Sequence, residues 1–245
     1  MKTERILIDT RDGPMAVHLH YPEHTADRTV PAIIVLQEAF GVNANIRSIC
    51  EKFARDGYLA VAPELFHRIG TGIEIPYSDI PQVMKVLGSL LTEELAEDIQ
   101  VTHQLLKNMT SIRIGTIGAI GFCMGGYTAL LGACKLRLDY AISCYGGGMS
   151  HARPGIGFTP IIDEFNEIRC PVFLLFGEKD PSIPLEQVDL IRGQLKREQV
   201  EYEIKVYRGA GHAFMREGEA QHHPETALEA WKDIHGWLKQ FAPMV

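Results

Sequence analysis

The chain has 245 residues, 46% of them apolar and 22% charged, with a formal net charge of −7. A chain of this length and balance can bury a large core without disulfides or metal. The acidic balance argues against nucleic acid as a partner, because phosphate contacts need a basic face, and it gives no attraction to anionic membranes.

In chain order, the runs Ile6–Asp9 and Met15–Tyr21 flank the turn cluster Arg11-Asp12-Gly13-Pro14 and read as a hairpin. Ala32–Leu36 and Leu59–Ala62 are short apolar runs suited to a buried parallel sheet. Between them, Asn45–Arg55 places Ile46, Ile49, Cys50 and Phe53 at helical spacing. The stretch from Phe66 to Pro81 is irregular and reads as a loop, followed by a helix at Thr92–Lys107. Further strands are expected at Thr116–Phe122, Tyr140–Tyr145, Val172–Phe176 and Glu201–Tyr207. Helices are expected at Met124–Cys134, Leu185–Arg197 and Pro224–Phe241, with Pro224 suited to a first turn. Gly146–Glu167 is a second irregular stretch. Strands alternating with helices imply βαβ units, hence an α/β fold with a mostly parallel sheet of about eight strands covered on both faces. With no repeat or linker-like stretch, residues 1–245 read as one domain.

No run approaches the ~20 apolar residues that a membrane span needs, and the N-terminus lacks the apolar segment of a secretory signal. The five cysteines, Cys50, Cys123, Cys134, Cys144 and Cys170, are odd in number and form no C-x-x-C pair. They fit a reduced, cytoplasmic chain with mostly buried thiols. The histidines outside the motifs below (His18 and His20 on one strand face, His151 in a loop, the pair His222-His223) have no partners at a zinc spacing. No metal and no cofactor is therefore expected, and the chain is read as a monomer or small homo-oligomer.

The stretch Gly121-Phe122-Cys123-Met124-Gly125-Gly126 matches G-x-S-x-G with cysteine in the serine position. An apolar strand precedes it and an Ala/Leu-rich helix follows, the setting in which a nucleophile sits on a sharp strand-to-helix bend. A cysteine taken at random is a buried small hydrophobe; this context reverses that reading for Cys123. A thiol nucleophile needs a base, and the base an orienting group. In α/β-hydrolases the chain order is nucleophile, acid, histidine. Asp180, in Gly177-Glu178-Lys179-Asp180-Pro181, and His212, in Gly209-Ala210-Gly211-His212, both follow strands and so fall at the sheet edge that carries Cys123. Asp180 also suits a plain turn, and Glu178 is a competing acid. The second oxyanion donor beside the N–H of Met124 is expected from the loop after the third strand, at Ala39.

Together with Leu36-Gln37-Glu38-Ala39-Phe40-Gly41-Val42-Asn43 and Gly-His-Ala-Phe at residues 211–214, these motifs resemble the dienelactone hydrolase family over nearly the whole chain. The resemblance implies an α/β-hydrolase fold and hydrolysis of a small-molecule ester or lactone. It also implies that Glu38 lies close to the cysteine and helps to activate it when substrate arrives. Family members that act on dienelactone hold its carboxylate with two arginines, and Arg216, four residues after His212, matches one. No arginine stands between Arg68 and Arg113 to supply the other. A carboxylesterase or thioesterase without preference for anions is the alternative within enzymes. A non-catalytic binding protein on the same scaffold is the alternative outside them.

Overall fold

The computed structural model describes residues 1–23 and 28–242. The sequence begins with a hairpin, β1 (Thr3–Thr10) and β2 (Gly13–His20), turned at Gly13, whose φ of 120° suits only glycine. β1 alternates exposed and half-buried residues, as an edge strand facing water does. The remaining strands are β3 (Thr29–Leu36), β4 (Leu59–Pro63), β5 (Arg113–Phe122), β6 (Tyr140–Cys144), β7 (Val172–Gly177) and β8 (Tyr202–Tyr207). They form one eight-stranded sheet in the order β1-β2-β4-β3-β5-β6-β7-β8. β1–β2 and β2–β4 pair antiparallel; all other neighbours pair parallel.

β4, β6 and β7 are buried at every residue, because helices cover both faces of this part of the sheet. These are α1 (Ala44–Arg55), α2 (Ile80–Ser89), α3 (Thr92–Asn108), α4 (Met124–Lys135), α5 (Leu185–Arg197) and α6 (Pro224–Phe241). α4 is buried from Met124 through Cys134, hence apolar all round rather than striped. β3 starts three residues earlier than its apolar run suggests. Pro31 offers no N–H to a ladder, and the register with β5 shifts between Val30 and Ala32 to absorb it.

Two elements depart from the sequence expectation. α2 begins inside the stretch read as irregular; Asp79 caps it by accepting from the Gln82 N–H, and Pro81 stands in its first turn. Its buried stripe is only Val83, Val86 and Leu87, while Ile80 and Met84 face outward and blur the period. A short 3-10 turn at Ile162–Glu167 likewise lies within the second irregular stretch, anchored by buried Phe165. No helix among the described residues is long and apolar enough to cross a membrane. The parallel strands all end at one edge, and the loops after β3, β5, β6, β7 and β8 meet there, the usual ligand side of an open α/β sheet.

Candidate active site

Cys123 follows β5 directly and caps α4 with φ 55° and ψ −115°, a strained conformation for a residue with a Cβ. The bend is tight enough that a Cβ on Gly121 would overlap the Gly125 carbonyl. One on Gly125 would overlap the carbonyls of Leu36 and Gln37 at the end of β3. The glycines therefore let β3, β5 and α4 close on one another, which brings the Gln37–Phe40 loop beside the cysteine. The Ala39 and Met124 N–H groups have no hydrogen-bond acceptor among the described residues. Both stand where that loop meets the N-terminus of α4.

The loops after β7 and β8 are tied together by the Lys179 N–H, which donates to Ala210 O at 2.8 Å. That contact sets Asp180 against His212. His212 Nδ1 lies 2.7 Å from Asp180 Oδ2, and Nε2 lies 3.2 Å from Cys123 Sγ. The second Asp180 oxygen accepts from the Ser182 N–H at 2.8 Å, so a buried carboxylate is satisfied at both oxygens. Glu178, the competing acid, points elsewhere and accepts from the Gly209 N–H. Burial pushes the His212 pKa down, but the Cys123 sulfur and Asp180 outweigh it and hold the imidazole up at about 10. Tyr145, at φ 43° just past β6, sets its buried ring edge-on to His212 at 5.5 Å.

Glu38 and Arg216 form a second unit. Arg216 Nε and Nη2 each donate to a Glu38 oxygen at 2.9 Å, a bidentate pair. Glu38 is 1% exposed and Arg216 5%. The guanidinium carbon lies 4.7 Å from the ring centroids of both Phe40 and Tyr77, which meet edge to face. Tyr77 comes from the irregular stretch before α2 and receives a hydrogen bond from Asn43 Nδ2 at 2.9 Å. Burial lowers the arginine's pKa, but Glu38 raises it further, so Arg216 stays charged. The glutamate that the resemblance sets beside the cysteine thus gives both oxygens to Arg216. Arg68 is not drawn into this site: its guanidinium bonds Asp98 and Asp12, tying α3 to the β1–β2 turn.

The sequence pointed to Cys123, Asp180, His212, Glu38, Ala39, Met124 and Arg216, and the fold brings them to one edge of the sheet. It did not point to Tyr145 or Tyr77. The left-handed conformation of Tyr145 leaves no mark in the sequence, and Tyr77 lies in a stretch with no period to place it. Among the described residues no group of three or more His, Cys, Asp or Glu could hold a metal ion.

A parallel-rich sheet with a strained strand-to-helix cysteine at its C-terminal edge defines the α/β-hydrolase class. The dienelactone hydrolase family model matches residues 15–242, and the chain belongs to that family. A Synechocystis protein provisionally named carboxymethylenebutenolidase is 32% identical over 236 residues, covering 96% of this chain and 95% of its own. A Bradyrhizobium protein provisionally named 2-oxo-3-(5-oxofuran-2-ylidene)propanoate lactonase is 25% identical over 244 residues, covering 98% and 96%. The crystal structure of a Klebsiella pneumoniae protein, provisionally named a dienelactone hydrolase, superposes with a TM-score of 0.85 at 30% identity, covering 98% of this chain and 99% of that one. The chain is accordingly an enzyme of the lactone- and ester-hydrolysing kind.

Proposed function

We propose that this enzyme cleaves a small carboxylic ester or lactone through a thioester on Cys123. The observation that carries the reading is the imidazole of His212, engaged at Nδ1 by Asp180 and at Nε2 by the Cys123 sulfur. In that arrangement Asp180 orients the ring and supports its positive charge, and the ring is placed to pair with the sulfur as thiolate once Glu38 has helped to activate it. The sulfur attacks the acyl carbon, and the carbonyl oxygen gathers charge against the N–H groups of Ala39 and Met124. As the tetrahedral centre collapses, the C–O bond breaks and the leaving oxygen takes the proton from His212 Nε2. Water then gives a proton to the neutral imidazole and attacks the thioester, releasing the acid and restoring the sulfur.

Arg216 supplies the substrate preference. Its Nη1 has no protein partner among the described residues and is not a stranded buried atom, so it opens onto accessible space. A substrate carboxylate meeting that nitrogen competes with Glu38 for the guanidinium. The exchange replaces one carboxylate by another and frees Glu38 beside the thiol it is proposed to activate. The Synechocystis and Bradyrhizobium relatives are both named for lactones that carry a carboxyl group, which supports an anionic substrate.

One observation favours a neutral ester instead: Arg216 is nearly sealed and already holds a carboxylate. Arg216→Ala separates the two readings. It lowers kcat/KM for carboxylate-bearing esters far more than for neutral ones if the anionic reading holds, and equally for both if it does not. Cys123→Ala that keeps full esterase activity rules out the cysteine mechanism. We place the enzyme in the cytoplasm as a single-domain protein, a monomer or small homo-oligomer.

A further inference from the structure

Arg153 sits in the segment that follows β6, at the same sheet edge as Cys123, and it is half-buried. Its guanidinium makes neither a salt bridge nor a hydrogen bond among the described residues. Its nitrogens are also not among the buried atoms left without a partner, so they open onto solvent-accessible space. Holding a cation partly out of water with no counter-charge is unfavourable; half-buried Arg68 and buried Arg216 both have carboxylates. Arg208, at the same edge, is exposed and needs none.

Three contacts place the Arg153 head group. Its Nη1 lies 2.9 Å from where a Gly147 Cβ would stand, so the glycine is what makes room for it. Ile183, three residues past Asp180, flanks the same position at 3.4 Å. Gly147 itself is two residues past Tyr145, whose ring meets His212. The segment is also held firmly. The Ile161 and Ile162 N–H groups both donate to Met149 O, at 2.9 and 3.0 Å, and the Gly157 N–H donates to Leu87 O at 2.9 Å. Phe158 packs on Tyr127 with ring centroids 4.4 Å apart. An arginine on such a support is ready for a ligand without further ordering.

Sheet order then sets the two cations apart. Cys123 follows β5, which lies between β3 and β6. Arg216 is bonded to Glu38 just past β3, whereas Arg153 lies over the loops past β6 and β7. We propose that Arg153 is a second, separate anion contact across the nucleophile from Arg216. The site then favours esters or lactones with one carboxylate on the acyl side and one on the alcohol side of the scissile bond. This inference rests on the reading of Cys123 as nucleophile and Arg216 as an anion contact. In a chain of net charge −7, such local cations are also what draws a dianion in.

The test uses a matched set: phenyl acetate, phenyl hemisuccinate, 4-carboxyphenyl acetate and 4-carboxyphenyl hemisuccinate. Wild type should prefer the doubly charged ester to either singly charged one in kcat/KM. Arg153→Met should erase the preference for one carboxylate and Arg216→Met that for the other, each by about tenfold to a hundredfold, the worth of a charge-assisted hydrogen bond. Arg153→Lys should restore part of the loss, and thermal melting checks that each variant folds. The inference is overturned if Arg153→Met keeps both preferences, if it slows all four esters equally, or if both variants lose the same carboxylate, which would make a single clamp. A wild type with no preference for any carboxylate removes the Arg216 reading and this one together; the other outcomes touch Arg153 alone.

Discussion

Replacing Arg216 with methionine keeps much of the side chain's volume and removes its charge, leaving Glu38 facing two aromatic rings. Glu38 is 1% exposed and takes both hydrogen bonds from Arg216, so water cannot compensate it in place. Breaking a buried ion pair from one side costs about 3–5 kcal/mol. At about 2–4 °C per kcal/mol for a chain of this size, the melting temperature should fall by roughly 10 °C. Removing both partners together, as Glu38→Leu with Arg216→Met, should recover most of the loss, because a well-packed apolar pair can replace a buried ionic one at little cost. Urea denaturation of the two single variants and the double variant at neutral pH measures this directly. An Arg216→Met loss below about 1 kcal/mol would refute the buried-pair reasoning. It would also undercut the carboxylate-exchange argument, which depends on Arg216 always needing an anion.

Two further predictions concern pH. His212 is held at about 10, above its ordinary 6.5, so its ion-pair contribution is complete below pH 6.5 and is lost as pH rises through about 10. The alkaline limb of kcat/KM should lie there, and Asp180→Asn should move it to lower pH; an unmoved limb contradicts the assignment of Asp180 as the ring's partner. Glu64, just past β4, is pushed up by burial but held at about 2 by Arg5, the Gly72 N–H and His18. Its lowered carboxyl stabilises the fold above pH 4.5 by about 3 kcal/mol, lost as pH falls toward 2. Glu64→Gln should flatten stability over that window, which denaturation at a series of acid pH values checks.

The sheet was legible because its strands are short apolar runs bounded by turn residues, and burial on both faces leaves them little else to be. The elbow was legible for a sharper reason: Gly121 and Gly125 are the residues whose missing Cβ atoms let β3, β5 and α4 meet. Asp180 and His212 followed from chain order and strand ends. The Glu38–Arg216 pair could not be read in the same way, since 178 residues separate its members and nothing local marks either as the other's partner. Tyr77 and Arg153 were hidden for a related reason. Both stand in segments without a period, held by hydrogen bonds that no local pattern marks, from Asn43 for one and to the Met149 and Leu87 carbonyls for the other. α2 was missed because its outward-facing Ile80 and Met84 dilute a three-residue buried stripe.

Cys123 remains the centre of the account, and its acyl form is the direct test. The enzyme should be quenched in acid during turnover of an aryl ester and digested, and the acyl group located by mass spectrometry. An adduct is expected on the Cys123 peptide, removed by hydroxylamine and absent in Cys123→Ala. An acyl group on any other residue, or a Cys123→Ala enzyme that turns over at the wild-type rate, would contradict the account.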